Sequence, residues 1–304
     1  MANFVVRDIH AKSVINRVQG MPFSWSINPY RGCRHACVYC YARPTHEFLG
    51  MDTGNEFQEV IFAKVNAPKV VREELSRPSW RREMVVIGTA TDPYQQAESR
   101  YMITRRILEA FRDWSSPAGI TTKSPMVLRD LDVLTKLSER AEVTVCLTIT
   151  TLDEKLWRLI EPTTSKPQRR LEALATLREN GINAGVLMSP ILPGLTDDVG
   201  HLEEVVAAAS EHGARFLSSS VLRLGPGITE YYLPFIEREF PRLRASYRQL
   251  YRGNYTPGFY SETISKRVDD LRLKYGLTED RIRPTKPQAL NNHSRQLDLF
   301  SVAA

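Results

Sequence analysis

The sequence predicts an α/β protein, a partial TIM-like (β/α)6 barrel followed by a helical C-terminal extension. Strand and helix patterns alternate about six times between residues 23 and 222, and this alternation implies a parallel sheet with helical crossovers. Short continuous apolar runs such as residues 84–88 (MVVIG) are typical of strands buried on both faces. No glycine-rich dinucleotide fingerprint or phosphate loop follows any strand, which disfavours an ordinary nucleotide-binding sheet. An open doubly wound sheet is the alternative to a barrel.

The first predicted elements lie on either side of a group of cysteines. Residues 23–30 alternate in polarity and end in Asn-Pro, which indicates a strand that runs into a loop. A strand at 58–65 stops at Asn-Ala-Pro, and a helix is predicted over 69–75. After the strand at 84–88, apolar residues at 103, 107, 108 and 111 mark one face of a helix.

The later elements continue the alternation. Residues 143–149 (VTVCLTI) predict a strand, and Gly181 and Gly213 are placed to cap the C-terminal ends of two helices. The predicted elements are, in order, a strand at 119–123, a helix at 128–137, a strand at 143–149, helices near 153–160 and 167–180, a strand at 183–188, a helix at 197–212 and a strand at 215–222. Beyond these, prolines punctuate a polar, aromatic-rich stretch. We therefore expect a core domain over 1–225, a helical extension over 226–285 and a flexible tail over 286–304.

Composition and charge limit the class of protein. The chain has 304 residues, of which 42% are hydrophobic and 25% charged, and this excludes a disordered or fibrous chain. A net charge of +6 permits a polyanionic partner without requiring one. No apolar run is long enough to span a bilayer and no charged-then-apolar leader begins at Met1, so we expect a cytoplasmic protein without membrane contact.

Three of the four cysteines form one motif. Cys33, Cys37 and Cys40 are spaced C-x3-C-x2-C directly after the first predicted barrel strand. Thiolates are soft ligands that suit iron–sulfur clusters or zinc, and three ligands so close together leave one corner of a cluster open for chemistry. The alternative is a structural zinc site completed by His35, His46 or Cys146. Such sites usually come as two paired knuckles, and the sequence has no second pair.

This motif resembles the signature of radical S-adenosylmethionine (radical SAM) enzymes, in which an aromatic residue, here Tyr39, precedes the last cysteine. The wider string over 28–43, together with TDPYQ at 91–95 and PILPGL at 190–195, resembles the spore photoproduct lyase-like branch, a group of DNA repair photolyase-like proteins. The resemblance covers about residues 12–225 and implies a barrel of the radical SAM type.

The resemblance also implies cofactors and a reaction. Cys33, Cys37 and Cys40 would hold three irons of a [4Fe–4S] cluster, and S-adenosylmethionine would bind the fourth. An electron from a donor such as a ferredoxin or a flavodoxin would cleave the sulfonium bond and give a 5′-deoxyadenosyl radical that removes a hydrogen atom from the substrate. The protein would supply positioning and exclude water and oxygen. By analogy with spore photoproduct lyase, we expect a role in DNA repair.

Polar residues at the predicted strand ends are candidate contacts for S-adenosylmethionine. We expect Tyr39 to lie near the adenine, and the other candidates are Thr89, Thr91 and Asp92 for the methionyl amine, Thr148 and Thr150 for the ribose, and Arg170 for the methionyl carboxylate, because an arginine offers a two-pronged fork to carboxylates. Lys123 and Ser124 are weaker candidates. The alternatives are a capped turn before Pro93, ordinary strand propensity for the two threonines, and an exposed charge at Arg170.

The hydrogen-atom donor is not identified by the sequence. Spore photoproduct lyase uses an additional cysteine, but Cys146 lies inside an apolar strand, where a cysteine is often a small buried hydrophobe. Tyr94, Tyr231 and Tyr232 are alternative donors, and the sequence does not distinguish among them.

Two features indicate nucleic acid. Arg244, Arg248 and Arg252, with the pair Arg238 and Arg242, form basic ridges on predicted helices, and aromatic residues at 247, 251, 255, 259 and 260 interleave with them. Arginines and aromatic rings can follow phosphates and stack bases. A solvated helix face with tyrosines packed on the barrel is the equal alternative.

The tail carries the second feature. Gln296, Leu297, Asp298, Leu299 and Phe300 form a short apolar anchor in a polar segment, which suits docking into a partner's groove. The string resembles the peptide with which bacterial DNA-handling proteins bind the replication sliding clamp. Two other functions stay open from sequence: radical modification of a tRNA, a protein or a small molecule, and a non-enzymatic, metal-stabilised module that binds nucleic acid.

Overall fold

The computed structural model describes residues 4–277, so the predicted tail over 286–304 lies outside the described residues. Within these described residues, ten strands form two sheets. The strands are β1 (Val5–Ile9), β2 (Asn16–Arg17), β3 (Trp25–Ile27), β4 (Tyr30–Arg31), β5 (Val60–Lys64), β6 (Val85–Ile87), β7 (Ala118–Thr122), β8 (Val143–Thr148), β9 (Asn183–Ile191) and β10 (Leu217–Val221).

The main sheet is the predicted partial (β/α)6 barrel. Its strands follow the order β10-β9-β8-β7-β6-β3-β2, and each of the six from β3 to β10 pairs in parallel with its neighbour. Only the short β2 at the edge is antiparallel. The order of the strands in the sheet follows their order in the sequence, which an open doubly wound sheet does not do. The prediction of a six-stranded partial barrel is therefore confirmed.

Helices connect the barrel strands and continue beyond them. They are α1 (Glu56–Glu59), α2 (Ala67–Leu75), α3 (Glu98–Tyr101), α4 (Ile103–Asp113), α5 (Leu131–Ser138), α6 (Glu154–Ile160), α7 (Pro167–Glu179), α8 (Val199–Glu211), α9 (Thr229–Glu239), α10 (Arg244–Leu250) and α11 (Gly258–Lys274), with 3-10 helices at Arg43–Leu49, Pro125–Asp130 and Pro241–Leu243. Asp153 and Asp198 cap α6 and α8 by accepting hydrogen bonds from backbone N–H groups of the first turn. None of these helices has the length and apolar character that a membrane crossing requires.

A second, three-stranded sheet lies beside the barrel. Its order is β1-β5-β4, with β1 parallel and β4 antiparallel to β5. The strand that the sequence predicts at 58–65 is β5, and it belongs to this sheet rather than to the barrel. Because β4 leads directly into the cysteine motif, the second sheet fixes the start of the cysteine loop, by which we mean residues 32–41.

The chain after residue 225 packs on the barrel in two places. Ile264, Val268 and Leu271 of α11 are buried in the same cluster as the barrel core. Helices α9 and α10 instead contribute to a separate buried cluster that includes Cys37 and Tyr39. The helical extension is thus part of the wall around the cysteine loop.

Candidate active site

The cysteine loop begins at the carboxyl end of the barrel sheet, where parallel barrels hold their chemistry. Gly32 starts it with a φ of 76°, and Cys33 N donates to Phe57 O at 3.0 Å. A Cβ atom on residue 32 would lie 2.8 Å from the carbonyl oxygens of Phe57 and Val60. Only glycine therefore lets the chain turn left-handed this close to its neighbours.

Arg43 holds the middle of the loop. Its side chain is fully buried, and its guanidinium donates to the carbonyl oxygens of Ala36 at 3.2 Å and Cys37 at 3.1 Å on one side and of Gly54 at 2.8 Å on the other. The ring of Tyr231 stacks over it, with the guanidinium carbon 3.8 Å from the ring centroid. These bonds hold Ala36 at a φ of 55°, a conformation that is costly for a residue with a Cβ atom.

The three thiols of the loop lie within electrostatic range of one another. Cys33 and Cys37 are buried and Cys40 is partly exposed. Burial, with the charges of Asp92 and Cys40, raises the pKa of Cys33 to about 12. Burial is also the main cause that raises the pKa of Cys37, while the charge of Lys123 lowers it. The Cys33 and Cys37 thiols are thus protonated at neutral pH without a metal, and metal binding must release these two protons.

Three soft thiol ligands in one loop fit an iron–sulfur cluster. Each thiolate of such a cluster binds a different iron, so the sulfurs stand further apart than the ligands of one ion. Within residues 4–277, no group of three or more His, Cys, Asp or Glu side chains is arranged to hold a single metal ion.

Thr91 and Gln95, which follow β6, support the first turn of the loop. The Thr91 hydroxyl donates to Gly32 O at 2.7 Å, and Gln95 Nε2 donates to the same oxygen at 3.1 Å. Gln95 Oε1 accepts from Arg34 N at 2.9 Å. Thr91, predicted as a cofactor contact, is therefore engaged with the loop backbone in this structure.

Asp92 connects the loop to the end of β7. Its carboxylate accepts from Thr122 Oγ1 and from Lys123 N, each at 2.7 Å, and lies 3.2 Å from His35 Nδ1. Burial acts to raise its pKa, but the charge of His35 and these hydrogen bonds lower the pKa of Asp92 to about 2. A carboxylate held ionised at a strand end suits binding of a cationic amine, the role that the sequence predicts.

Thr89 lies at the same end of the sheet. Its hydroxyl accepts from Asn28 Nδ2 at 3.0 Å, and its carbonyl oxygen accepts a hydrogen bond from the Tyr41 hydroxyl. Tyr41 itself is 56% exposed. The structure thus brings Thr89, Thr91 and Asp92 together beside the cysteine loop, as expected for residues that follow one parallel strand.

A buried carboxylate, Glu161, organises the opposite side of the site. Its Oε1 accepts hydrogen bonds from the Tyr39 hydroxyl and from Thr150 Oγ1, the latter at 3.0 Å, and lies 4.0 Å from Lys123 Nζ. Burial acts to raise its pKa, but the charges of Arg170 and Lys123 lower the pKa of Glu161 to about 2. Sequence analysis missed this residue, and the available signal was a lone acid at the end of α6, directly before Pro162.

Arg170 reaches the site through Glu161. It is fully buried, so the exposed-charge interpretation is wrong. Its guanidinium donates to Glu161 Oε2 at 2.5 Å, Thr164 Oγ1 at 2.6 Å and Thr148 O at 2.9 Å, and also to Ser165 O. These partners occupy its fork, so the predicted pairing with the methionyl carboxylate would require them to be exchanged. The geometry supports a positioning role behind Glu161.

The candidate hydrogen donors are distributed through the molecule. Cys146 lies in the middle of β8, opposite Thr121 and Gly185. Tyr94 is buried and donates to Asp130 at 3.1 Å, and Tyr232 is buried with its hydroxyl 3.1 Å from that of Tyr247. The hydroxyls of Tyr94 and Tyr232 thus bond residues outside the cysteine loop, whereas the ring of Tyr231, the remaining candidate, stacks on Arg43, which holds the loop.

A six-stranded parallel partial barrel with three thiols in one loop at its carboxyl end is the architecture of a radical SAM enzyme. The sequence matches the Radical SAM superfamily over residues 27–229, and the chain belongs to this superfamily. The superfamily resemblance seen in the sequence is confirmed. Membership also makes the chain an enzyme, against the non-enzymatic alternative.

Similar proteins extend this result. The chain is 38% identical over 285 residues to an uncharacterized protein of Mycobacterium tuberculosis (strain ATCC 25618 / H37Rv). The alignment covers 92% of this chain and 84% of the relative. The fold of this chain is similar to that of spore photoproduct lyase complexed with dinucleoside spore photoproduct, with a TM-score of 0.68 and 15% identity over 89% of this chain and 79% of the lyase. A lyase mutant with bound AdoMet and dinucleoside spore photoproduct gives a TM-score of 0.67 at 14% identity, over 90% of this chain and 79% of that chain. At such identities the likeness to spore photoproduct lyase concerns the fold alone.

The predicted cofactors agree with these comparisons. Radical SAM enzymes use a [4Fe–4S] cluster and S-adenosylmethionine, and they need an electron donor. The donor set of the cysteine loop fits the cluster, and Thr91 and Asp92 contact Gly32 and His35 of the same loop.

Proposed function

We propose that Cys33, Cys37 and Cys40 bind a [4Fe–4S] cluster and that the enzyme uses it to cleave S-adenosylmethionine reductively, in a reaction on DNA. The observation that supports this most directly is the convergence of the three thiols in one buried loop at the carboxyl end of the parallel sheet. Held by Cys33, Cys37 and Cys40, a reduced cluster with S-adenosylmethionine would supply the chemistry for removing a hydrogen atom from the substrate. A small carrier such as a ferredoxin or a flavodoxin supplies the electron.

The protein's own residues position and protect these groups. Arg43 and Gly32 fix the loop backbone, so that the thiols are arranged before the metal binds. Asp92, ionised and buried, accepts the methionyl amine, and Lys123 Nζ lies on the other side of the pocket, 4.0 Å from Glu161 Oε1. Tyr39 and Thr150 are fixed by Glu161 at the side of the pocket. Leu192, Leu224 and their neighbours pack around Cys37 and Tyr39 and exclude water.

The supporting observations for a DNA substrate come from charge and fold. The chain carries a net charge of +6, which favours a polyanion, and the lyase of similar fold is complexed with a dinucleoside. Two arginines of the predicted ridges are less available than the sequence indicates, because Arg244 and Arg248 both pair with Glu237, at 3.0 and 2.8 Å. Tyr247 is buried against the barrel. Arg252, Tyr255 and Phe259 are exposed, as are Arg242 and Arg238, the latter paired with Glu239.

The sliding-clamp prediction is a separate proposal. Gln296–Phe300 lies outside the described residues. A labelled peptide of this segment should bind the clamp, and the Leu297→Ala, Phe300→Ala peptide should not. Equal signals from the two peptides would leave the segment without this partner.

Anaerobic reconstitution tests the central proposal. The wild type should take up about four irons per chain, and its reduced electron paramagnetic resonance signal should change when S-adenosylmethionine is added, with 5′-deoxyadenosine formed. Cys37→Ser should lose the cluster, whereas Cys146→Ser, the matched cysteine control, should keep the iron and the reaction. A Cys37→Ser protein that still forms 5′-deoxyadenosine would refute the ligand assignment.

A further inference from the structure

A groove of about 620 Å³ lies on the helical extension, between the end of α10 and the start of α11. Two aromatic residues line it and are unusually open to solvent: Tyr255 is 65% exposed and Phe259 is 71% exposed. Tyr247 and Tyr251 are instead buried or half-buried in the cluster that includes Cys37 and Tyr39, and Tyr260 packs against the barrel core. Large aromatic side chains exposed side by side mark a binding surface more often than a solvent-facing wall.

The charge around these rings is positive. Arg252 lines the groove, and the guanidinium carbon of Arg223 lies 5.0 Å from the centroid of the Tyr255 ring. Among the described residues, no carboxylate lines the groove and none lies within 4.0 Å of either guanidinium. Arg244 and Arg248, close by on α10, are instead neutralised by Glu237. The two rings thus lie next to two arginines, neither of which pairs with a carboxylate of residues 4–277.

The groove is fixed at the same end of the barrel as the cysteine loop. Leu224 N donates to Asn254 O at 3.0 Å, and the Tyr251 hydroxyl donates to Leu222 O at 2.8 Å. The residues on the barrel side of these two bonds, Leu222 and Leu224, follow β10 at its carboxyl end. A polymer lying in the groove is therefore held at the carboxyl end of the barrel strands, where the cysteine loop also begins.

We propose that this groove binds a single strand of DNA, with bases stacked on Tyr255 and Phe259 and phosphates contacted by Arg223 and Arg252. The inference rests on the proposed reaction on DNA and names the surface that holds the strand. Nucleobases offer flat π-faces and their backbone offers regularly spaced negative charge, the two properties that this groove complements. A protein segment would supply neither at regular spacing.

Fluorescence anisotropy of a labelled 12-residue oligothymidylate, with the full-length protein and no reductant, tests the proposal. Alanine at Tyr255 and Phe259 together should weaken binding about tenfold or more, as for other base-stacking residues. Gln at Arg223 and Arg252 together should also weaken binding and should reduce the salt dependence, lowering the slope of log K against log [salt] by about 1.4, since each phosphate contact on a single strand contributes about 0.7.

Matched variants separate the groove from general charge and exposure. Arg244→Gln with Arg248→Gln removes the same charge from paired arginines and should leave the affinity within about twofold, as should Trp114→Ala, an exposed aromatic that follows α4 at the amino end of β7. Equal losses in the groove and control variants, or tenfold tighter binding of the matching RNA, would overturn the assignment while leaving a nucleic-acid reaction intact. No binding by the wild type would overturn the proposal without touching 5′-deoxyadenosine formation, which is measured separately.

Discussion

Arg170 Nη2 lies 2.5 Å from Glu161 Oε2, and both side chains are buried. The pair connects α7 to the end of α6, and Glu161 in turn holds Tyr39 of the cysteine loop. A buried ion pair contributes little net stability when both partners are present, but the loss of one partner leaves an uncompensated charge. The pair therefore acts chiefly by fixing where Tyr39 stands.

Arg170→Gln should lower the free energy of unfolding of the metal-free protein by about 3–5 kcal/mol, because it leaves the Glu161 carboxylate buried without its cation. Urea denaturation followed by circular dichroism measures the change. Arg169→Gln, at the adjacent exposed position, should stay within about 0.5 kcal/mol of wild type.

A double variant tests the pairing itself. The double variant Glu161→Gln with Arg170→Gln should lose less unfolding free energy than the two single variants lose together. The reason is that it removes both charges of the pair, whereas each single variant leaves one charge without its partner. Strict additivity would mean that the two side chains do not interact in solution.

Acid should remove the contribution that the ionised Glu161 carboxylate makes to the free energy of unfolding. Burial raises its pKa, but Arg170 and Lys123 outweigh burial and lower the pKa of Glu161 from 4.5 to about 2 in the folded protein. A carboxyl with a depressed folded pKa stabilises above its unfolded pKa, and this contribution is lost as the pH falls toward 2. The difference in unfolding free energy between wild type and Glu161→Gln should shrink by about 2 kcal/mol between pH 5 and pH 3. A constant difference over this range would contradict the depressed pKa.

The barrel was predictable because its signal is local. Each core strand is a short apolar run and each crossover helix has an apolar face, so alternation along the chain maps directly onto the sheet. The cysteine motif was equally predictable, because its three cysteines lie within eight residues of the sequence. The assignment of residues 60–64 to a second sheet was not, because strand pattern alone does not say which edge a strand pairs with.

The polar contacts of the site were not predictable, because the partners are far apart in the sequence. Glu161 and Tyr39 are 122 positions apart, and no local pattern connects an acid before a proline to a tyrosine between two cysteines. Arg170 was identified as a site residue, but a sequence shows a guanidinium without its partners, and here Glu161, Thr164 and two carbonyl oxygens occupy it. The pairing of the α10 arginines was not predictable for the same reason, because their carboxylate partner, Glu237, lies on a different helix, α9, and pairs with two of them.

Two glycines with the same backbone angle separate conformation from crowding. Gly32 and Gly181 both have a φ of 76°, but a Cβ on Gly181 would meet nothing within 4 Å. Gly181→Ala should therefore cost only the left-handed penalty of about 1–2 kcal/mol. Gly32→Ala should cost about 1–3 kcal/mol more, because backbone oxygens cannot move aside. It should also lower the iron content after reconstitution.

Chemical denaturation and iron analysis of the two variants give the comparison. Gly181→Ala should bind iron like wild type. If Gly32→Ala had the same stability and iron content as Gly181→Ala, the close backbone approach at the start of the cysteine loop would contribute neither to stability nor to iron binding.

Arg43 gives the last test, because it clamps the loop without touching a thiol. Arg43→Gln removes donors from the buried carbonyl oxygens of Ala36 and Cys37. Cys37 O keeps its hydrogen bond from Cys40 N at 3.3 Å, but an acceptor left unsatisfied at Ala36 costs about 1–3 kcal/mol. Local opening of the loop should become easier by at least 1.4 kcal/mol, so iodoacetamide should alkylate Cys37 in the metal-free protein about tenfold faster. Mass spectrometry at fixed pH measures the rate, with Cys146 as the internal reference and Arg31→Gln, an exposed arginine on β4, as the control. An unchanged Cys37 rate in Arg43→Gln would show that the loop holds its shape without this guanidinium.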